Sequence, residues 1–133
     1  MSTRPDPSGG NSRKKAKPSS ANPVYKHLPR RIYLLELDPC VALDPAFRKA
    51  NPRYVPGGLC LYAGSTSQPA SDRFTEHVSG ARNASRIAHR YGLRLRMDLV
   101  PGAGKRMPRE RAIKAEVRLA RELRARGFGV WQA

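Results

Sequence analysis

Hydrophobic and polar positions alternate most strictly at Leu93-Arg94-Leu95-Arg96-Met97-Asp98-Leu99, apolar at odd numbers and charged at even ones. A period of two puts one side of an extended chain in a core and the other in water, so 93–99 reads as a strand, closed by Pro101-Gly102. Ile32-Tyr33-Leu34-Leu35-Glu36-Leu37, an apolar run stopped by Asp38-Pro39, reads as a second. Leu59-Cys60-Leu61-Tyr62-Ala63, entered from Pro56-Gly57-Gly58 and left at Gly64, reads as a third. Between the latter two lies an insert, 38–58, with four prolines. It is long for a hairpin connection and is expected to run over the surface.

Three helices fill the remaining intervals. Residues 69–79 start at a proline and stop at Gly80. Residues 83–91 run from Asn83, a possible cap, to Gly92. Residues 108–126 form the longest, with Pro108 in the first turn and Gly127 just past the end. The order is strand, strand, helix, helix, strand, helix: an α+β chain with no internal repeat. Residues 1–29 are rich in Pro, Ser and Gly, have little to bury and read as a disordered tail. Residues 30–133 form one domain with room for a modest core.

Charge changes this picture by naming a class of partner. The 133 residues carry 26 Lys plus Arg against 10 Asp plus Glu, a net charge of +16. The tail holds +5 of it and residues 30–133 hold +11, so the folded part is basic in its own right. A polyanion is the expected partner, with nucleic acid foremost. Arginine predominates among the cations, either because its planar guanidinium pairs with phosphate oxygens or because base composition favours it. The tail cluster Arg13-Lys14-Lys15-Ala16-Lys17 reads equally as a phosphate contact or a solubilising segment. No window approaches the ~18 apolar residues of a membrane span. No apolar stretch near the start resembles a secretory signal. Cys40 and Cys60 are too few for a disulfide scaffold or a four-ligand zinc site, and in a reducing, cytoplasmic setting two free buried thiols are expected ahead of a disulfide between them. His27 and His89 read as surface residues, and Phe128 and Trp131 as core closure over the sheet, with base stacking as the alternative.

Candidate chemistry begins with one misplaced acid. On the last helix, at about 100° per residue, Ala112, Leu119, Leu123, Ala120, Ile113 and Val117 define an apolar face, and Glu116 falls inside it. A buried carboxylate needs a cation: either an ion pair, with Arg109 or Arg124, or a metal. On the first helix Arg73 and His77 share a face, while Phe74 and Val78 share another that should meet the core. Beside the expected loop Gly64-Ser65-Thr66-Ser67, Arg73 and His77 either address a phosphate or form an ordinary exposed pair. Tyr33 and Tyr62 lie mid-strand, where packing and chemistry are both open readings.

Taken in order, Arg31-Ile32-Tyr33, Tyr62-Ala63-Gly64 with Thr66, Arg73 and His77 on a helix and Glu116 on a later helix resemble the GIY-YIG nuclease superfamily, above all its small single-domain bacterial members. The resemblance spans about residues 31–127. It implies a three-stranded antiparallel sheet flanked by three helices and a metal-dependent DNA endonuclease, with DNA favoured over RNA as partner. Tyr33 would be the general base toward water, its proton loss eased by nearby cations. Tyr62 and His77 would orient or relay protons, and Arg73 would neutralise charge on the phosphoryl oxygens. Glu116 would hold one Mg²⁺ or Mn²⁺. Gly64, Ser65, Thr66 and Arg31 would line the substrate. Where many members carry an asparagine after the metal-ligand helix, the amide available here is Gln132. The competing expectation is a catalytically weak or inactive nucleic-acid-binding module of the same fold; a basic structural protein of a ribonucleoprotein ranks behind both.

Overall fold

A computed structural model of the chain describes residues 28–102 and 104–133. The expected tail at 1–29 and His27 therefore lie almost entirely outside the described residues. Strand β1, Arg31–Leu37, pairs antiparallel with β2, Cys60–Thr66, in a register that sets Tyr33 opposite Gly64 and Leu35 opposite Tyr62. Pairing carries β2 three residues past Ala63, so the expected loop at Gly64-Ser65-Thr66 is strand. Both faces of β1 are covered. Ile32 and Leu34 pack into one cluster, and Tyr33, Leu35 and Leu37 into another, on opposite sides of the sheet. Burial on both faces explains why β1 reads as a continuous apolar run rather than an alternation.

Strand β3, Gly92–Leu95, adds to the free edge of β1 and is shorter than the alternation predicted. The chain leaves the ladder at Arg96 and turns through a 3₁₀ segment, Met97–Leu99. The charged positions explain the departure. Arg94 and Arg96 both reach Glu36, at 2.6 and 2.7 Å, and Arg96 also bonds Asp98 at 3.0 Å. A residue clasped between β1 and its own next neighbour but one bends the strand. On this edge Leu93 is 42 % exposed, so the odd positions do not all enter the core.

Strand β4, Gly129–Gln132, lies parallel to β2, with Tyr62 opposite Trp131 and Ala63 opposite Gln132. The sheet is thus four-stranded and mixed, in the order β3-β1-β2-β4, rather than three-stranded and antiparallel. Phe128 and Trp131 do close the core as expected, Trp131 stacking on Phe47 with ring centroids 6.4 Å apart, but from within a strand and its lead-in.

The insert is not a surface excursion. A 3₁₀ turn, Pro39–Leu43, leads to helix α1, Pro45–Ala50, whose first amides bond the Asp44 carboxylate. Val41 and Phe47 from these two elements are completely buried. Helix α2, Ala70–Ser79, starts after Pro69 and ends at Gly80, whose φ of +77° is a left-handed conformation that favours glycine. Helix α3, Arg86–Tyr91, is capped by the Ser85 hydroxyl rather than by Asn83. Helix α4, Arg109–Ala125, covers the Ile32/Leu34 side of the sheet. No helix among the described residues is long and apolar enough to cross a membrane. Cys40 is exposed, Cys60 is buried, and both are free thiols.

Candidate active site

Glycine at position 64 lets the site close. A Cβ there would stand 2.5 Å from the Tyr33 hydroxyl oxygen and 2.7 Å from the Cζ that carries it, so the hydroxyl end of Tyr33 lies against the bare backbone of its cross-strand partner. The ring is 1 % exposed and sits 6.2 Å, centroid to centroid, from that of Tyr62.

Helix α2 reaches this pair through His77. The core-facing side of α2 is not the expected Phe74/Val78 stripe: His77 is completely buried, Phe74 partly, and Val78 is 37 % exposed. The Tyr33 hydroxyl lies 2.9 Å from His77 Nε2, and the Ser85 backbone N–H donates to His77 Nδ1 at 3.0 Å. Burial, with Arg73 adding to it, pushes the imidazole down to about 4, so the ring is neutral at pH 7. A neutral ring that accepts at Nδ1 carries its proton on Nε2. His77 therefore donates to the Tyr33 oxygen and is not placed to take the phenol's proton. It is built to hold that oxygen, whether phenol or phenolate.

The expected easing of proton loss from Tyr33 fails on balance, because burial outweighs the one cation that favours it. Burial holds the phenol well above the ordinary tyrosine value, and the neighbouring Tyr62 pushes the same way, while Arg73 opposes them. Tyr62 is also raised by burial, against which Ser85 and Arg73 act. Arg73 is present beside both phenols, but its guanidinium is anchored at 2.9 Å to Glu76 and at 2.9 Å to the Asn83 carbonyl. Arg73 and His77 are therefore not a stacked, solvent-facing pair; they approach the two tyrosines from different depths.

Arg30, immediately before β1, escaped the sequence reading. Its Nε donates to the Ser65 hydroxyl at 3.1 Å and its Nη2 to the Ser65 carbonyl at 2.7 Å. Its backbone is pinned to Met107 by two 2.8 Å hydrogen bonds. Burial lowers this guanidinium's pKa, and Arg109 and Arg73 act in the same direction while Tyr33 and Glu116 oppose them. Arg30 is thus electrostatically close to both the tyrosine cluster and the α4 carboxylate. Only the pairing of β1 with the β3–α4 connection could have revealed it. Of the other expected substrate residues, Thr66 is buried and its hydroxyl accepts from the Gln68 amide. Arg31 is half-buried, with an enclosed Nε that meets no partner among the described residues.

Glu116 sits where the helical arithmetic placed it. It is 6 % exposed, among Ala112, Leu119, Ala120 and Leu123. Ile113 and Val117 instead fall at the rim of the stripe, 44 % and 36 % exposed. Glu116 forms no ion pair among the described residues. Arg124, one of the two expected partners, is spent on the Asn51 side chain at 3.2 Å and the Val130 carbonyl at 2.9 Å. Burial raises the Glu116 pKa, while the nearby Gln132 amide and the charge of Arg30 lower it. Strand β4 therefore delivers the amide to the carboxylate.

No cluster of three or more His, Cys, Asp or Glu side chains is assembled among the described residues. A divalent cation here would have Glu116 as its one carboxylate and draw its other ligands from water and phosphate oxygens. That donor set fits a hard cation such as Mg²⁺ or Mn²⁺ and does not fit zinc. No protein-family model matches the chain, and neither a curated protein nor a solved structure matches it.

Proposed function

We propose that the protein is a metal-dependent endonuclease that hydrolyses phosphodiester bonds in DNA. The observation that carries this reading is Glu116: a buried carboxylate with one amide partner, in a domain whose charge is otherwise strongly positive. An unpaired buried acid is costly and is retained where it has work to do. The ordered set of Tyr33, Tyr62, Gly64, Arg73, His77 and Glu116, which resembles the GIY-YIG nucleases, supports the same reading.

The chain's own groups divide the task. Arg30 and Arg73 would neutralise charge that grows on the non-bridging phosphoryl oxygens. Tyr33 is the base toward the attacking water, taking its proton at Oη. His77 Nε2–H and Arg73 hold that oxygen as a phenolate. Tyr62 packs against Tyr33 and orients it. A divalent cation on Glu116 would supply the further positive charge that offsets the burial of Tyr33 and stabilises the leaving oxygen. The Gln132 amide, close to Glu116, would orient its carboxylate.

The test is a panel of labelled single-stranded, duplex and branched DNA, and RNA, incubated with the protein and with Glu116→Ala in Mg²⁺. Cleavage by the wild type alone supports the reading, and equal cleavage by both sinks it. One observation favours the second reading, a nucleic-acid-binding module of the same fold with little turnover: Arg73 is already engaged by Glu76. Binding to the panel that weakens steeply with salt, without metal-dependent cutting, would identify that case.

A further inference from the structure

Beside α4, walled in part by Val117 and Gln132, lies a cavity of about 320 Å³ whose arginines and aromatic rings the chemistry above does not use. It opens between the segment after α1 and the second half of α4, and Gln132, whose amide is near enough to Glu116 to lower its pKa, forms part of its wall. We propose that this cavity receives one unpaired nucleotide, base and sugar, adjoining the phosphate to be cut. The inference rests on the phosphodiesterase reading for its class of ligand and adds the requirement that the substrate be single-stranded or frayed at the cut.

Four observations point to that occupant. Arg53, Arg121 and Arg124 line the cavity and none of its wall residues is acidic, so it suits an anion. Arg124 uses Nε and Nη2 within the fold, and Nη1 has no partner among the described residues. Apolar and aromatic walls accompany the charge. Tyr54, Phe128 and Val117 face the same space, and the Tyr54 ring is held by its hydroxyl's 2.8 Å bond to the Gly58 carbonyl. A rigid ring beside arginines is what a base's flat face needs, whereas a paired, stacked base offers only its edges. The volume lies near the lower end of the ~300–1,000 Å³ range of small-molecule sites, enough for one nucleoside and too little for two stacked ones. Finally, Val117 leaves the core and stands 36 % exposed at the cavity, although it sits one residue from the buried Glu116. A base in the cavity would cover it.

The probe is thymidine 3′,5′-bisphosphate, titrated calorimetrically into the full chain in EDTA, with inorganic phosphate titrated in parallel. The wild type should bind the nucleotide at least ten-fold more tightly than phosphate. Val117→Trp, which fills the mouth without altering charge, and Arg121→Ala, a surface change on α4, should each weaken the nucleotide at least five-fold and leave the melting temperature unchanged. Val117→Trp should leave phosphate binding unaltered and abolish any preference for a dT₆ strand over a blunt duplex. Equal affinity of phosphate and nucleotide in the wild type, or unchanged nucleotide affinity in both variants, overturns the inference. Because the measurement needs neither metal nor turnover, loss of the nuclease reading, seen as equal cutting by Glu116→Ala, is told apart from loss of this one.

Discussion

Substituting Gly64 by alanine tests whether the tyrosine cluster is as tightly registered as the geometry requires. The new methyl group would lie 2.5 Å from Tyr33 Oη and 2.7 Å from Cζ, against an ordinary contact of 3.4 Å, so the ring must retreat by roughly 0.9 Å. The ring is 1 % exposed, Tyr62 stands beside it, and the hydroxyl is 2.9 Å from His77. A retreat away from His77 lengthens that bond beyond hydrogen-bonding range. Overpacking of a tight core costs about 1–3 kcal/mol, and loss of one buried hydrogen bond adds about 1 kcal/mol. At roughly 4 °C per kcal/mol for a domain of this size, Gly64→Ala should melt about 8–16 °C below the wild type. If Tyr33 is the proposed base, displacing its oxygen by such a distance should also lower cleavage by about 10²-fold. The assay is a thermal melt followed by circular dichroism, with cleavage measured well below both transitions. Because the hydroxyl is the nearest atom, Tyr33→Phe in the alanine background should recover part of the stability, a non-additive pair. A melting temperature within about 2 °C of wild type, with cleavage unchanged, would refute the close packing of Gly64 against Tyr33.

Other perturbations address separate parts of the site. His77 titrates near 4 when folded against about 6.5 unfolded, so the unfolded chain binds the extra proton as pH falls through that window. Its neutrality contributes stability above pH ~6.5 that is lost on acidification toward pH 4, of order 3 kcal/mol, and His77→Gln should flatten that part of the stability–pH curve. Two-dimensional ¹H–¹⁵N spectra should show the His77 proton on Nε2 at pH 7; a proton on Nδ1 contradicts the donor role toward Tyr33. Glu116 has the opposite sign. Its carboxyl is raised by burial, so the folded chain holds the proton more tightly, and stability falls as pH rises from the unfolded value through the folded one. Glu116→Gln should therefore melt higher than wild type at pH 7 and equally at pH 4, and an unchanged or lower melting temperature at pH 7 goes against a costly buried carboxylate. Arg30→Ala removes the fork on Ser65 and a cation near Glu116, and should weaken DNA binding and reduce its salt dependence by about one phosphate contact. An unaltered salt slope would place Arg30 outside the interface.

Much of the fold was legible because period and punctuation agreed. Strands β1 and β2 and helices α2 and α4 lie within a few residues of the boundaries drawn from apolar runs, prolines and glycines. Where reading failed, tertiary structure decided. Gly129–Gln132 is too short to show a period and becomes a strand only because β2 offers a free edge. The alternation at 93–99 promised a longer strand, but Glu36 gathers Arg94 and Arg96 and bends the chain. The proline-rich insert looked superficial, yet it contributes Val41 and Phe47 to the core. In the site, Glu116 was legible from its helical phase alone. Gln132 was visible only as an amide late in the chain, and Arg30, whose charge acts on Glu116 from the start of β1, was not visible at all, because the pairings that bring them near are encoded by no local pattern. The Phe74/Val78 stripe misled for a similar reason, since a buried hydrogen bond to Tyr33 draws the polar His77 into the place an apolar residue would normally take.

The most direct test of the account is single-turnover cleavage of the best DNA substrate by the wild type and by Glu116→Gln, each across a Mg²⁺ titration and in EDTA. The account predicts cutting by the wild type that saturates with Mg²⁺ and vanishes in EDTA. It also predicts a loss of at least 10²-fold in Glu116→Gln, with DNA affinity retained, as expected where a group acts on the transition state. Wild-type cutting that persists in EDTA, or a Glu116→Gln variant that cuts at the wild-type rate, would contradict it.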